Sequence, residues 1–168
     1  RRACECGACQ HLAHLGVDAI SARVAALTDW LLTELVGLQH GTGRHMVRIY
    51  GPTRMAMRGG TVAMNFYDPE GHLLDYRRVE ELAGDARISL RTGCFCNPGA
   101  GEMAEGLTEE DVRAAGTDAD ITFPRFLQAI QHRGGKSAGA IRVSLGIVST
   151  FADVYRFVAD PRHMEGPP

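Results

Sequence analysis

Two cysteines stand in one short stretch, Arg91-Thr92-Gly93-Cys94-Phe95-Cys96-Asn97-Pro98-Gly99-Ala100, and their type and setting suit thiol chemistry. A cysteine attacks as its thiolate, which favours a partly exposed loop beside positive charge over an apolar interior. Gly93, Pro98, Gly99 and Gly101 deny this stretch regular structure, and Arg91 supplies a nearby charge. The preceding Ile88-Ser89-Leu90 is expected to be a short apolar strand delivering the chain into the loop. Free cysteines are also commonly buried and inert, so the residues alone leave a reactive and a structural reading open.

A second cluster lies at the N-terminus. Cys4, Cys6 and Cys9, followed by His11 and His14, offer thiolate and imidazole ligands for a tetrahedral zinc. Strong zinc patterns pair two separated ligand couples, whereas these ligands crowd into one segment. An inert leader is the competing reading. The seven histidines otherwise fall in no recognisable motif, and Lys136 is the sole lysine.

These groups need a scaffold. At 168 residues and 45% hydrophobic, the chain can form one domain with a real core. A formal net charge of −2 with interspersed signs gives no footprint for nucleic acid or an anionic membrane. No apolar run approaches the roughly 18 residues of a membrane span, and the start lacks a signal peptide, so a cytoplasmic location is expected. Five cysteines, an odd number, read as thiols or ligands rather than as a disulfide framework.

Ile20, Val24, Leu27, Leu31, Leu35 and Leu38 recur at helical spacing and predict a long helix from about Asp18, its N-cap, to Leu38. Met46 to Tyr50 predicts a strand. Thr61 to Phe66 alternates with Val62, Met64 and Phe66 on one face, and Asp68-Pro69-Glu70-Gly71 predicts the turn of a hairpin. Asp75 caps a helix carrying Val79 and Leu82, and Thr108 to Asp111 opens a short helix. Phe123-Pro124 begins another, with Phe126, Leu127 and Ile130 inward. A glycine-rich connection over 132–139 leads to the strand Ala140 to Leu145, and Thr150 with Asp153 caps a last helix with Val154, Phe157 and Val158 inward. The sum is an α+β fold: a small, mostly antiparallel sheet packed with helices. Residues 1–17 form a leader of uncertain structure, 18–160 a single α+β domain, and 161–168 a frayed tail.

Arg-Thr-Gly-Cys-Phe-Cys-Asn-Pro-Gly strongly resembles the active-site loop of molybdenum cofactor sulfurases, a branch of the class V aminotransferase and cysteine desulfurase group of pyridoxal-phosphate enzymes. Ala140-Ile141-Arg142-Val143-Ser144-Leu145-Gly146, Val47 to Pro52 and Arg58 to Phe66 look like the same group. The likeness runs from about His11 to Asp160 and corresponds to the C-terminal small domain of fold-type I enzymes.

The resemblance implies a division of labour. Cys96 is placed as the nucleophile that takes sulfur from L-cysteine as a persulfide, with Cys94 a relay or a spectator. Arg142 is placed to hold the substrate carboxylate, against an alternative as a surface salt bridge. Arg91 would lower the thiol's pKa, contact substrate or pair with a carboxylate. Pyridoxal phosphate and its Schiff-base lysine belong to a large domain of the same polypeptide, so no cofactor-binding residue is expected in this chain, and the chain alone is expected to be inactive. The complete enzyme would be a homodimer passing sulfur to molybdenum cofactor. Separated from that domain, the apolar side of the long helix is expected to be exposed. Two other readings compete: a stand-alone thiol module that accepts persulfide sulfur, and a zinc module through Cys4, Cys6, Cys9 and His11.

Overall fold

A computed structural model describes residues 7–93, 103–115, 122, 125, 129–130 and 139–159. Among the described residues the helices with given bounds are α1 (Gly7–Leu15), α2 (Val17–Gly37), α3 (Tyr76–Asp85), α4 (Glu109–Ala115) and α5 (Phe151–Ala159). Four strands accompany them: β1 (Val47–Tyr50), β2 (Thr61–Phe66), β3 (Arg91–Gly93) and β4 (Ala140–Ser144). The strands form one sheet in the order β1-β2-β4-β3, antiparallel throughout. The expected α+β class with an antiparallel sheet is what the chain adopts. Among the described residues, no helix is long and apolar enough to cross a membrane.

Strand alternation sorts the sheet into two unlike faces. Val62, Met64 and Phe66 of β2 are buried with Val47 of β1 and Ile141 of β4, and they pack with Leu31, Leu32 and Leu35 of α2, Val79 and Ala83 of α3, and Val154, Phe157 and Val158 of α5. The stripe expected on α2 therefore faces this core. Leu31 and Leu35 are buried, and Leu27 and Leu38 pack at the edge. That corrects the expectation of an exposed apolar side, because the sheet and α5 cover it. The apolar surface that stays open lies elsewhere: Phe151 and Tyr155 are 57% and 56% exposed and stack beside Trp30.

Local signals set most helix ends. Asp75 accepts a hydrogen bond from the Arg77 N–H at 2.9 Å. Thr108 and Asp111 cap α4 reciprocally, and Thr150 and Asp153 do the same for α5. Asp18 proves to be a first-turn acid rather than the cap, which is Gly16. It still suits the positive end of the helix dipole. The leader expected over 1–17 contains α1 from Gly7 onward.

The cap of α5 makes stability depend on acid. Hydrogen bonds from Thr150, side chain first and then backbone, hold the Asp153 carboxyl below its ordinary value, with Arg156 adding a smaller attraction. A depressed folded-state pKa gives stability that is complete above the unfolded value near 3.8 and is lost as pH falls through the lower folded one. Asp153→Asn should therefore flatten the dependence of the urea midpoint on pH below about pH 4. An unchanged slope would show that the cap is not maintained in solution.

Two strand assignments change. Residues 88–90 are not a strand: the Ile88 N–H closes the end of α3 on the Ala83 carbonyl at 2.7 Å, and pairing with β4 begins only at Arg91. Ile88 and Leu90 instead pack as coil at the edge of the core. The turn after β2 forms as expected, but its return arm makes a single bridge, Tyr67 with Leu73, since both edges of β2 are taken by β1 and β4. Ile130 is buried as expected. The expected positions of Phe123, Pro124, Phe126 and Leu127, of 132–138 in the glycine-rich connection, and of the tail lie outside the described residues.

Candidate functional site

The sheet face opposite the core gathers the polar and charged side chains of the strands. Alternation places Arg48 and Tyr50 of β1, Ala63 and Asn65 of β2, Ala140 and Arg142 of β4, and Arg91 and Gly93 of β3 on it. Arg91 and Arg142 are direct cross-strand partners, and Gly93 is paired with Ala140. Two guanidinium groups thus stand on neighbouring strands where like charges repel. An anion at that position would offset the repulsion, and a carboxylate matches guanidinium in bidentate geometry.

Cys94 and Cys96 lie outside the described residues, as do Cys4 and Cys6. The chain enters the thiol segment at Gly93, one strand from Arg142, and re-enters the described structure in a helical turn at 103–105. Both margins of the segment border this one face. Gly139 leads into β4 so close to Gly93 that a Cβ added to Gly139 would lie 3.1 Å from the Gly93 Cα and 2.7 Å from the Tyr76 ring. Glycine is required there by the approach of two backbones.

Four residues, Asn65, Glu105, Tyr50 and Arg48, build the face further, and the sequence reading passed over their roles. Asn65 is 1% exposed and Glu105 is 8% exposed. The Asn65 amide nitrogen donates to Glu105 Oε1 at 2.8 Å, and it lies within hydrogen-bonding distance of Tyr50 Oη at 3.1 Å and the Gly139 carbonyl at 3.2 Å. Burial first, and then the hydrogen bond and charge of Glu105, push the Tyr50 phenol well above its ordinary range. It stays protonated. Arg48 lies over the Tyr50 ring, 5.3 Å from its centroid, and donates to the Ala104 carbonyl at 3.2 Å. A hydrogen bond with Tyr67 is the foremost reason that the Arg48 guanidinium holds its proton even more firmly than usual. The available signal was an asparagine in a strand whose other face is wholly apolar, since asparagine is depleted in strands.

Other candidates do not converge here. Cys9 is half-buried and His11 exposed on α1, two positions apart, so they do not share a helix face. Asp68, Glu70 and His72 bring ligand atoms within 4.8 Å of one another, but the trio is the turn after β2, where His72 bonds Asp68 at 3.0 Å. A cleft of about 240 Å³ lies against α5, lined by Leu31, Leu90, Val143, Leu145 and Phe157 among others. It is mainly apolar and holds neither Arg91 nor Arg142.

No protein-family model matches the sequence. The molybdenum cofactor sulfurase of Solanum lycopersicum is 37% identical over 144 residues, 86% of this chain and 17% of the relative. That of Arabidopsis thaliana is 34% identical over 158 residues, 88% of this chain and 18% of the relative. The Homo sapiens protein of the same name is 30% identical over 165 residues, 90% of this chain and 17% of the relative. The chain is thus a distant homologue, over most of its length, of a segment of molybdenum cofactor sulfurases, and it spans less than a fifth of their length.

Proposed function

We propose that this chain is the thiol-bearing small-domain part of a sulfurase that moves sulfur from L-cysteine through a persulfide on Cys96 toward molybdenum cofactor. The homology to a sulfurase segment carries the reading, and the pairing of Gly93 with Ala140, two residues before Arg142, supports it. In the step, the Cys96 thiolate attacks the sulfur of the donor. A sulfur–sulfur bond forms, the donor's carbon–sulfur bond breaks, and its electron pair remains on carbon to be protonated, which leaves alanine.

That electron pair needs a sink, which the resemblance assigns to pyridoxal phosphate. The resemblance assigns the covalent hold of that cofactor to a lysine of the large domain and not to Lys136, the only lysine of this chain, which stands in the glycine-rich connection after the thiol segment. The role of this chain is to present the thiol and to bind the substrate carboxylate at Arg142, with Arg91 beside it.

Two measurements test the reading. An antibody against this chain should detect a native polypeptide well above 18.2 kDa. Incubation of the chain with L-cysteine and a separate desulfurase, followed by peptide mapping, should place persulfide on Cys96. A native product of 18.2 kDa that takes up no sulfur would overturn the proposal.

Arg142→Lys separates a carboxylate grip from a structural ion pair. Lysine keeps the charge but loses the planar fork, so the KM of the complete polypeptide for L-cysteine should rise about 10- to 100-fold with little change in thermal midpoint. A lowered midpoint with unchanged KM would assign Arg142 to structure.

A further inference from the structure

The buried amide of Asn65 ties together chain segments that are far apart in sequence. Its partners are Tyr50 on β1, Glu105 beyond the thiol segment, and the Gly139 carbonyl just before β4. An amide has two N–H groups, and three acceptors face it. The arrangement is satisfied when Asn65 serves Glu105 and the Gly139 carbonyl while the Tyr50 hydroxyl donates to Glu105.

Each partner sits at a margin of the candidate site. Glu105 lies two residues beyond Met103, where the described chain resumes, and the Arg48 bond to the neighbouring Ala104 carbonyl adds a second tie. Gly139 rests on Gly93, the last described residue before the cysteines. An apolar pair would fill this space without the desolvation cost of a buried carboxylate, so the polar pair is better explained by the geometry it specifies.

We propose that Asn65 is a positioning residue: through Glu105 on one side and the Gly139 carbonyl on the other, it holds the helical turn of Glu105 and the approach of Gly139 to Gly93 in fixed relation beside Arg142. Its consequence for sulfur transfer rests on the proposed function, whereas the brace itself does not. The test therefore reads thiol accessibility and needs no sulfur donor.

Alkylation rates of Cys94, Cys96 and Cys9 are measured by peptide mapping in Asn65→Asp, Glu105→Gln and the double variant, at temperatures where each retains native circular dichroism. Asn65→Asp sets two carboxylates against each other and should raise the Cys94 and Cys96 rates about tenfold while leaving Cys9 unchanged. The double variant exchanges donor and acceptor on the Glu105 side alone, since an aspartate cannot donate to the Gly139 carbonyl, and should return the rates only part of the way. Glu105→Gln keeps an acceptor oxygen but loses the charge-assisted bond; it should give about a two- to threefold rise and stands in if Asn65→Asp does not fold. A fall in thermal midpoint with unchanged Cys94 and Cys96 rates would overturn the proposal, because a merely structural asparagine would give that result. Alkylation that responds as expected in a chain whose Cys96 accepts no sulfur would sustain the brace and sink the sulfurase reading.

Discussion

Cys96→Ser should reduce persulfide formation on the chain by at least about a thousandfold, while Cys94→Ser should cost less than about tenfold. Serine matches cysteine in shape, but its hydroxyl is essentially un-ionised where a thiol is already partly thiolate, and oxygen cannot form the sulfur–sulfur bond that stores the cargo. Reach favours the second cysteine. Gly93 is held in the ladder against Ala140, so Cys94 is one residue beyond a fixed point, whereas Cys96 is three residues beyond and can extend up to about 10 Å from it. Arg91 and Arg142, on adjacent strands at that point, favour an anion nearby and hence the thiolate form. Mass mapping after incubation with a desulfurase and L-cysteine gives the answer directly. Sulfur retained in Cys96→Ser and lost in Cys94→Ser would exchange the two roles.

What could be read in the sequence follows the range of the interactions involved. The caps of α3, α4 and α5 were legible because Asp75, Thr108 and Thr150 each find a partner within three residues. The alternation of β2 was legible because burial on one face leaves a period-two trace. The extent of β3 was not, since its pairing is decided by β4, nearly fifty residues later in the chain. An apolar Ile88-Ser89-Leu90 looks more like a strand than Arg91-Thr92-Gly93 does, yet α3 claims Ile88 for its own termination. The brace around Asn65 was hidden for the same reason: its bonds to Glu105 and Gly139 span 40 and 74 residues. Arg91 and Arg142 could be chosen singly from their motifs, but only strand pairing reveals that they stand side by side.

The same dependence on long-range contact predicts a large stability effect at a residue without a side chain. A Cβ on Gly60 would lie 2.5 Å from Val24 Cγ1 on α2 and 2.7 Å from the Leu145 carbonyl oxygen just past β4, both closer than real Cβ contacts allow. Neither neighbour yields easily. A helical valine has one strongly preferred rotamer, and the Leu145 backbone is itself tied to Gly60 by a 2.7 Å hydrogen bond. Gly60→Ala must therefore part α2 from the sheet or displace the end of β4, at a cost of about 2–4 kcal/mol. Gly59→Ala is the internal control: nothing lies within 4 Å of its Cβ and its backbone is unstrained, so it should change stability by no more than about 0.5 kcal/mol. Val24→Ala in the Gly60→Ala background should recover only part of the loss, since the carbonyl contact remains. Because Leu145 follows Arg142 by three residues, displacement there would also move the guanidinium relative to Gly93. On the function proposed above, Gly60→Ala should then also raise the KM for L-cysteine even where the fold survives. Equal urea midpoints for Gly59→Ala and Gly60→Ala would mean that α2 does not press on this junction, and that the placement of β4 must have another origin.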